Sequence, residues 1–322
     1  MEENMKTADL ILGTTVLGLS VAVSPFAAFA ANCPDGYPAK PIQMLVGYGA
    51  GGGSDAIARS IAAELEAQQG WTVIVDNKPG AGGGVMSATL MNMKPDGYAV
   101  GVAATGTVAL NPYENADTPY TYESFDYLGT AMQINYGLVS LVDRPYETLD
   151  EFIAFARDNN GATISVGGKS QEILVDQLAK HYDVNLIAVP SKGAADALQS
   201  ALGGHVDATT QGTQHVQQIK AGAMNQLASL TDARTPYAPD SPTLIEGGLE
   251  ATIEGQTIFM VPTGLDPAIR TCLEEALDEA VNSDGYGELM TRLENEPLNL
   301  GPKGTTDKIA KSAQFYKSYL GK

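Results

Sequence analysis

One stretch limits what this chain can become. Residues 43–65 read QMLVGYGAGGGSDAIARSIAAEL: a short apolar run, glycine at five of the seven positions 47–53, then Ser54-Asp55 and a helical pattern. Met44, Leu45 and Val46 form the run, and Ile57, Ala58, Ile61, Ala62 and Leu65 share one helical face. That order predicts a strand, a tight turn and a helix from position 54. A helix start led by glycines presents free backbone N–H groups and the positive end of the helix dipole, which suits a phosphate, sulfate or carboxylate. A turn that only reverses the chain does not need five glycines. The folded part therefore opens on an anion seat.

The whole chain, 322 residues long, can bury one large or two medium cores. Its net charge of −19 makes nucleic acid and anionic membrane surfaces poor partners. Local N–H groups can still hold an anion, because distant charges are screened. Gly47-x-Gly49-x-x-Gly52 also fits the dinucleotide fingerprint, and Asp76 ends the next apolar run. A nucleotide-dependent oxidoreductase is thus the competing reading. It lacks parts: there is no CxxC, HExxH or GxSxG, and His181, His205 and His215 are scattered without metal spacing. No cofactor and no catalytic residue is expected.

Residues 1–30 read as an export signal, with Lys6, an apolar stretch from Leu10 to Val23, Pro25, and Ala28-Phe29-Ala30 as the small-x-small cleavage pattern. An uncleaved anchor is the alternative that the length permits. Lipidation of Cys33 would need a small residue before it, where Asn32 stands. Export to the periplasm argues against a nicotinamide cofactor. It also sets the fate of Cys33 and Cys272: a solitary pair in an oxidising compartment is expected to bond, with two free thiols as the alternative.

From 41 to 110, strands and helices alternate. Strands are expected at Ile42–Val46, Thr72–Val75 and Tyr98–Ala103, with helices at 54–69 and Val85–Met93. Such alternation predicts a parallel sheet with ligands at the carboxyl ends of its strands, where the loops 47–54, 78–84 and 104–111 emerge. The last brings the hydroxyls of Thr105 and Thr107. Phe125–Val142 reads as extended chain, long enough to cross between lobes. A second α/β run follows: helix 148–158, strand 162–166, glycine loop 167–170, helix 171–182, strand 185–189, loop 190–193, helix 194–202 and strand 205–210. Strands at 226–231 and 256–261 and helices at 266–282, 285–293 and 305–320 close the chain.

The blocks that carry these elements resemble the substrate-binding receptors of the tripartite tricarboxylate transporters, the Bug-type periplasmic family. YPAKPIQMLVGYGAGGGSDAIAR, VIVDNKPGAGGGV, PDGYAV, TGTVALNP, VPSKGAADALQSALGGHVDA and VPTGLDPAIRTCLEEAL occur in the family's order over roughly residues 37–320. The resemblance implies an α/β, two-lobed periplasmic binding protein (a type II-like clamshell), each lobe a mostly parallel sheet flanked by helices. Lobe 1 would comprise 31–131 and 253–322, lobe 2 132–252, with hinges near 132 and 252. It implies capture of a small organic anion, a di- or tricarboxylate or a related acid, and delivery to large and small membrane-embedded transporter subunits, without catalysis. A solute sensor feeding a signalling receptor is the further alternative. The implied ligand contacts are Tyr48, Ala50, Gly51, Gly52, Gly53, Ser54 and Asp55, then Thr105, Gly106 and Thr107. From lobe 2 come Gly167, Gly168, Lys169, Ser170 and Gln211. The sequence departs from the family where Gly47 and Ala50 replace loop prolines, where Ile173 falls near a histidine position, and where Ser191 replaces an aromatic. Lys169 could meet a distal carboxylate, and Gly52 is expected to need a backbone conformation that valine resists.

Overall fold

The computed structural model describes residues 31–253 and 255–321; the expected export signal lies outside them. The opening stretch folds as β1 (Ile42–Val46) and α1 (Gly53–Gln69). β2 (Val73–Asn77), α2 (Gly84–Leu90) and β3 (Ala99–Ala104) complete a parallel unit in which β1 pairs with β2 on one side and β3 on the other. Two short helices, α3 (Thr105–Ala109) and α4 (Asn111–Glu114), lead towards β4 (Phe125–Gln133). The chain then crosses through 134–136 into β5 (Gly137–Leu141).

The second unit runs α5 (Leu149–Asp158), β6 (Ala162–Val166), α6 (Lys169–Tyr182), β7 (Leu186–Pro190), α7 (Ala194–Leu202), β8 (Ala208–Gln211), α8 (Val216–Lys220) and β9 (Met224–Ser229). β10 (Gln256–Pro262) returns to the first sheet, followed by α9 (Pro267–Val281), α10 (Asp284–Arg292) and α11 (Gly301–Tyr319). The sheet orders are β2-β1-β3-β10-β4 and β7-β6-β8-β5-β9. In each, the fourth strand alone runs antiparallel to its neighbours, and it is the strand that has just crossed from the other half. The fold is α/β and two-lobed.

Helices cover both faces of the first sheet, which explains why its strands read as unbroken apolar runs. Met44, Val46, Ile57, Ile61, Phe259, Leu273 and Tyr286 form one core against α1, α9 and α10. Leu45, Met86, Leu90, Val108, Met260 and Ile309 fill the other face. The second sheet is filled likewise by Phe152, Ile153, Ile164, Leu174 and Leu178 on one side and by Val139, Leu198 and Met224 on the other.

The extended run 125–142 does cross between the lobes, as β4 and β5 in different sheets. Two expectations need correction. The segment 104–111 is helical from Thr105 onward, because Thr107, Val108 and Ala109 are buried in the core. Lys169 and Ser170 are the first residues of α6, not a loop.

Candidate functional site

The sequence places three glycine corners at strand ends, and the fold turns three helix starts towards one space. α1 is preceded by Gly52, α6 by Gly168 and α7 by Gly193, and no side chain caps any of the three. Thr148 on α5, Asp266 on α9 and Ser283 on α10 do accept from their own first turns, while α2, α3, α4, α8 and α11 have no side-chain cap either; what sets α1, α6 and α7 apart is that their starts face one space. Uncapped starts leave N–H donors for another partner. Between them lies a cavity of about 370 Å³, in the range of small-molecule sites.

Gly53 and Ser54 line it from one lobe; Gly168, Ser170, Gln171 and Ala194 line it from the other. Gly212, Thr213 and Gln214, just beyond β8, form a further wall, and Thr257 and Asn295 add polar groups. Ile57, Met132, Ile134, Tyr136 and Leu293 supply apolar surface. Among the described residues no Asp, Glu, Lys, Arg or His lines the cavity, although the chain carries a net charge of −19. Among them the only ionisable group is Tyr136, whose phenol is pushed up to about 12 by burial, so it stays a neutral donor. Backbone N–H groups, hydroxyls and amides can hold an anion here, and none of the described wall residues carries a negative charge.

Gly53, Ser54, Gly167, Gly168 and Ser170 are the expected contacts that reach the cavity. The others have different surroundings. Tyr48 Oη lies 3.1 Å from Thr107 Oγ1, whose hydroxyl donates to the Gly82 carbonyl at 2.7 Å. Thr105 donates to Gln256 Oε1 at 2.9 Å, and the Gln256 amide donates to Gln133 Oε1 at 2.8 Å. The two threonines brace the strand ends and crossovers. Gln211 is fully buried, with Nε2 on Thr209 Oγ1 at 2.9 Å. Lys169 Nζ sits 2.7 Å from Glu172 Oε2, which holds the ammonium pKa further up. Ala50, Gly51, Gly52 and Gly106 lie beside the helix starts without lining the cavity.

Gly52 itself is extended (φ −83, ψ 172), a conformation any residue adopts, although a Cβ there would lie 3.3 Å from the Gly49 carbonyl; the left-handed position is Gly51, at φ +80. A Cβ on Gly47 would come within 2.9 Å of Gly83 Cα. That contact occupies the first glycine of the dinucleotide spacing, and Asp76 pairs with Lys78 at 2.8 Å. Both features behind the nucleotide reading thus have structural occupants. His215 is fully buried beside the Tyr237 ring, and burial holds its imidazole down at about 4.

Residues 57–317 match the model of the tripartite tricarboxylate transporter family receptor. The chain belongs to that receptor family. A TctC solute-binding protein from Polaromonas is 27% identical in sequence, with a TM-score of 0.80 covering 88% of this chain and 99% of that one. The periplasmic binding protein BugD is 26% identical, with a TM-score of 0.70 over 88% and 99%. The UPF0065 protein of the gbd 5′ region of Cupriavidus necator is 29% identical over 318 residues, 98% of this chain and 95% of its own.

In this tripartite tricarboxylate receptor, Gln171, Ala194, Thr213, Gln214, Thr257 and Asn295 line the cavity without having been expected as contacts. The glycine that leads α7 was a visible signal for Ala194. Asn295 follows α10 and stands in no motif.

Asp55, 4% exposed, shapes the first corner. Its Oδ2 accepts from Gly51 N–H at 2.9 Å and from Arg59 Nε at 3.0 Å, so a first-turn carboxylate ties down the residue before the N-cap Gly52. Arg59 first, and then the Gly51 N–H, hold its carboxyl down to about 2. A depressed carboxyl stabilises the fold fully above about pH 4, and that contribution is lost as pH falls through about 2. Asp55→Ala should cost roughly 1–3 kcal/mol at pH 7 by removing the buried carboxylate on which the Gly51 N–H and Arg59 bonds converge. The difference from wild type should vanish near pH 2 in urea melts; a difference that persists there would contradict this role.

Proposed function

We propose that the chain is an exported, non-enzymatic receptor that captures a small organic carboxylate, a di- or tricarboxylate or related acid, in the interlobe cavity. It delivers that acid to the large and small membrane subunits of a tripartite tricarboxylate-type transporter. One observation carries the reading: three uncapped helix starts converge on a cavity that no acidic side chain among the described residues lines, in a strongly acidic chain. Family membership supports the transporter partnership, and the likeness to BugD, a periplasmic binding protein, supports the location. Among the described residues no helix is long and apolar enough to cross a membrane.

The lobes are taken as 31–131 with 253–322, and 132–252, hinged near 132 and 252. The seat comprises Gly53, Ser54, Gly167, Gly168 and Ser170, joined by Gln171, Ala194, Thr213 and Asn295.

A thermal-shift panel of organic acids tests the reading. A ligand bound only by the native state adds about 2.7 kcal/mol of stability at a hundred times its Kd. At least one di- or tricarboxylate should raise the melting temperature in a concentration-dependent way, and small-angle scattering should show a smaller radius of gyration at saturation as the lobes close. No shift with any acid would overturn the receptor reading. An unchanged radius with a bound acid would overturn the hinge.

A further inference from the structure

Helix α10 ends on a conformation that side chains disfavour, and it sends a carboxylate across the cleft. Glu294 N–H donates to the Thr291 carbonyl at 3.2 Å, and Asn295 N–H donates to the Met290 carbonyl at 2.9 Å. This bond pair is the Schellman arrangement, whose left-handed residue is usually glycine. Here that residue is Glu294, at φ +55. A Cβ is unfavourable in this region, so retaining a long side chain here points to a use for it.

The side chain meets the other half of the molecule. Glu294 Oε1 accepts from Lys220 Nζ at 2.6 Å and from Gln217 Nε2 at 3.2 Å, both on α8. Each end of this contact lies next to the cavity. Leu293 and Asn295 flank Glu294 and line it, while α8 follows directly on the Gly212–Gln214 wall. The segment is anchored on its own side too. Met132 and Pro297 form an antiparallel bridge, and Leu298 N–H donates to the Ala131 carbonyl at 3.1 Å. Asn295 Nδ2 donates to the Leu293 carbonyl at 2.9 Å and holds the turn from within. The result is a short strut, fixed to the first lobe and gripping the second.

We propose that Glu294 is a positioning residue, a cross-cleft clasp that holds lobe 2 against the Leu293–Asn295 wall and so sets how long a ligand stays bound. The proposal rests on the solute-receptor reading. Escape of a ligand requires the lobes to part, so losing the clasp lowers the closed fraction and speeds dissociation. Lys220 and Glu294 are both partly exposed, so salt weakens the grip.

The decisive variant is Glu294→Gly, which removes the carboxylate and the left-handed penalty together. Its unliganded melting temperature should equal or exceed wild type, while citrate, as the probe acid, should dissociate about three- to tenfold faster in stopped flow. A merely structural turn would give no such opposition. Glu294→Lys should also speed release, and combining it with Lys220→Glu should restore most of the wild-type rate. Scattering of the unliganded chain reads the clasp without any ligand. The clasp holds only a fraction of unliganded molecules closed, so wild type should expand between low salt and about 1 M NaCl, whereas Glu294→Gly should be expanded already and insensitive to salt. If citrate and every panel acid fail to bind wild type, the receptor reading fails and scattering alone decides the clasp. Equal radii and equal salt responses for wild type and Glu294→Gly would overturn it, as would equal release rates.

Discussion

Ser54→Asp should bind the organic acid at least about a hundredfold more weakly than wild type and melt no lower. Position 54 is the second residue of α1, one of the uncapped helix starts on the cavity. An acidic side chain in a first turn complements the helix dipole and stabilises it by roughly 0.3–1 kcal/mol. The same carboxylate would compete for the N–H groups that the ligand needs and would repel its charge. Losing two charge-assisted hydrogen bonds costs roughly 3–6 kcal/mol, which is two decades or more in affinity. Lys169→Ala should cost far less, because that ammonium is engaged by Glu172. Calorimetric titration of both variants, with folding followed by circular dichroism, decides between a backbone seat and a lysine seat. A folded Ser54→Asp protein with wild-type affinity would place the anion elsewhere.

Breaking the bond between Cys33 and Cys272 should lower the melting temperature by roughly 5–15 °C and leave ligand affinity unchanged. The bond ties residues 239 apart in sequence, so it removes much of the freedom of the unfolded chain; a typical gain is about 2–4 kcal/mol. Cys272 is fully buried in α9, and Cys33 packs against the same core as Trp71 and Ile61. Neither cysteine lines the cavity. Calorimetry with and without reductant, matched to alkylation and intact mass, separates the two states. Equal melting temperatures would show that the bond does not constrain the fold, and a large loss of affinity would show that it reaches the cleft.

How far the sequence carries depends on whether a feature is local. The strand–glycine–helix order at 42–69 was legible because apolar spacing and glycine placement act within a few residues. The same holds for the glycine corner at 167–168, where the loop and the helix start lie next to each other in sequence. The cysteine pair followed from compartment and number, since no other partner competes.

The tertiary structure decided which glycines face the cavity. Gly47 and Gly53 look equivalent in sequence, but one is pressed against Gly83 while the other opens on the cavity. It also turned Thr105 and Thr107 inward: burial of Val108 and Ala109 winds that segment into a helix and hands both hydroxyls to neighbouring chain. Residues 293–295, which close the cavity wall and reach α8, carry no motif at all. Their place depends on where α10 ends and which strand it lies beside. Those are long-range packing outcomes, settled by contacts among residues more than seventy positions apart, and no local pattern encodes them.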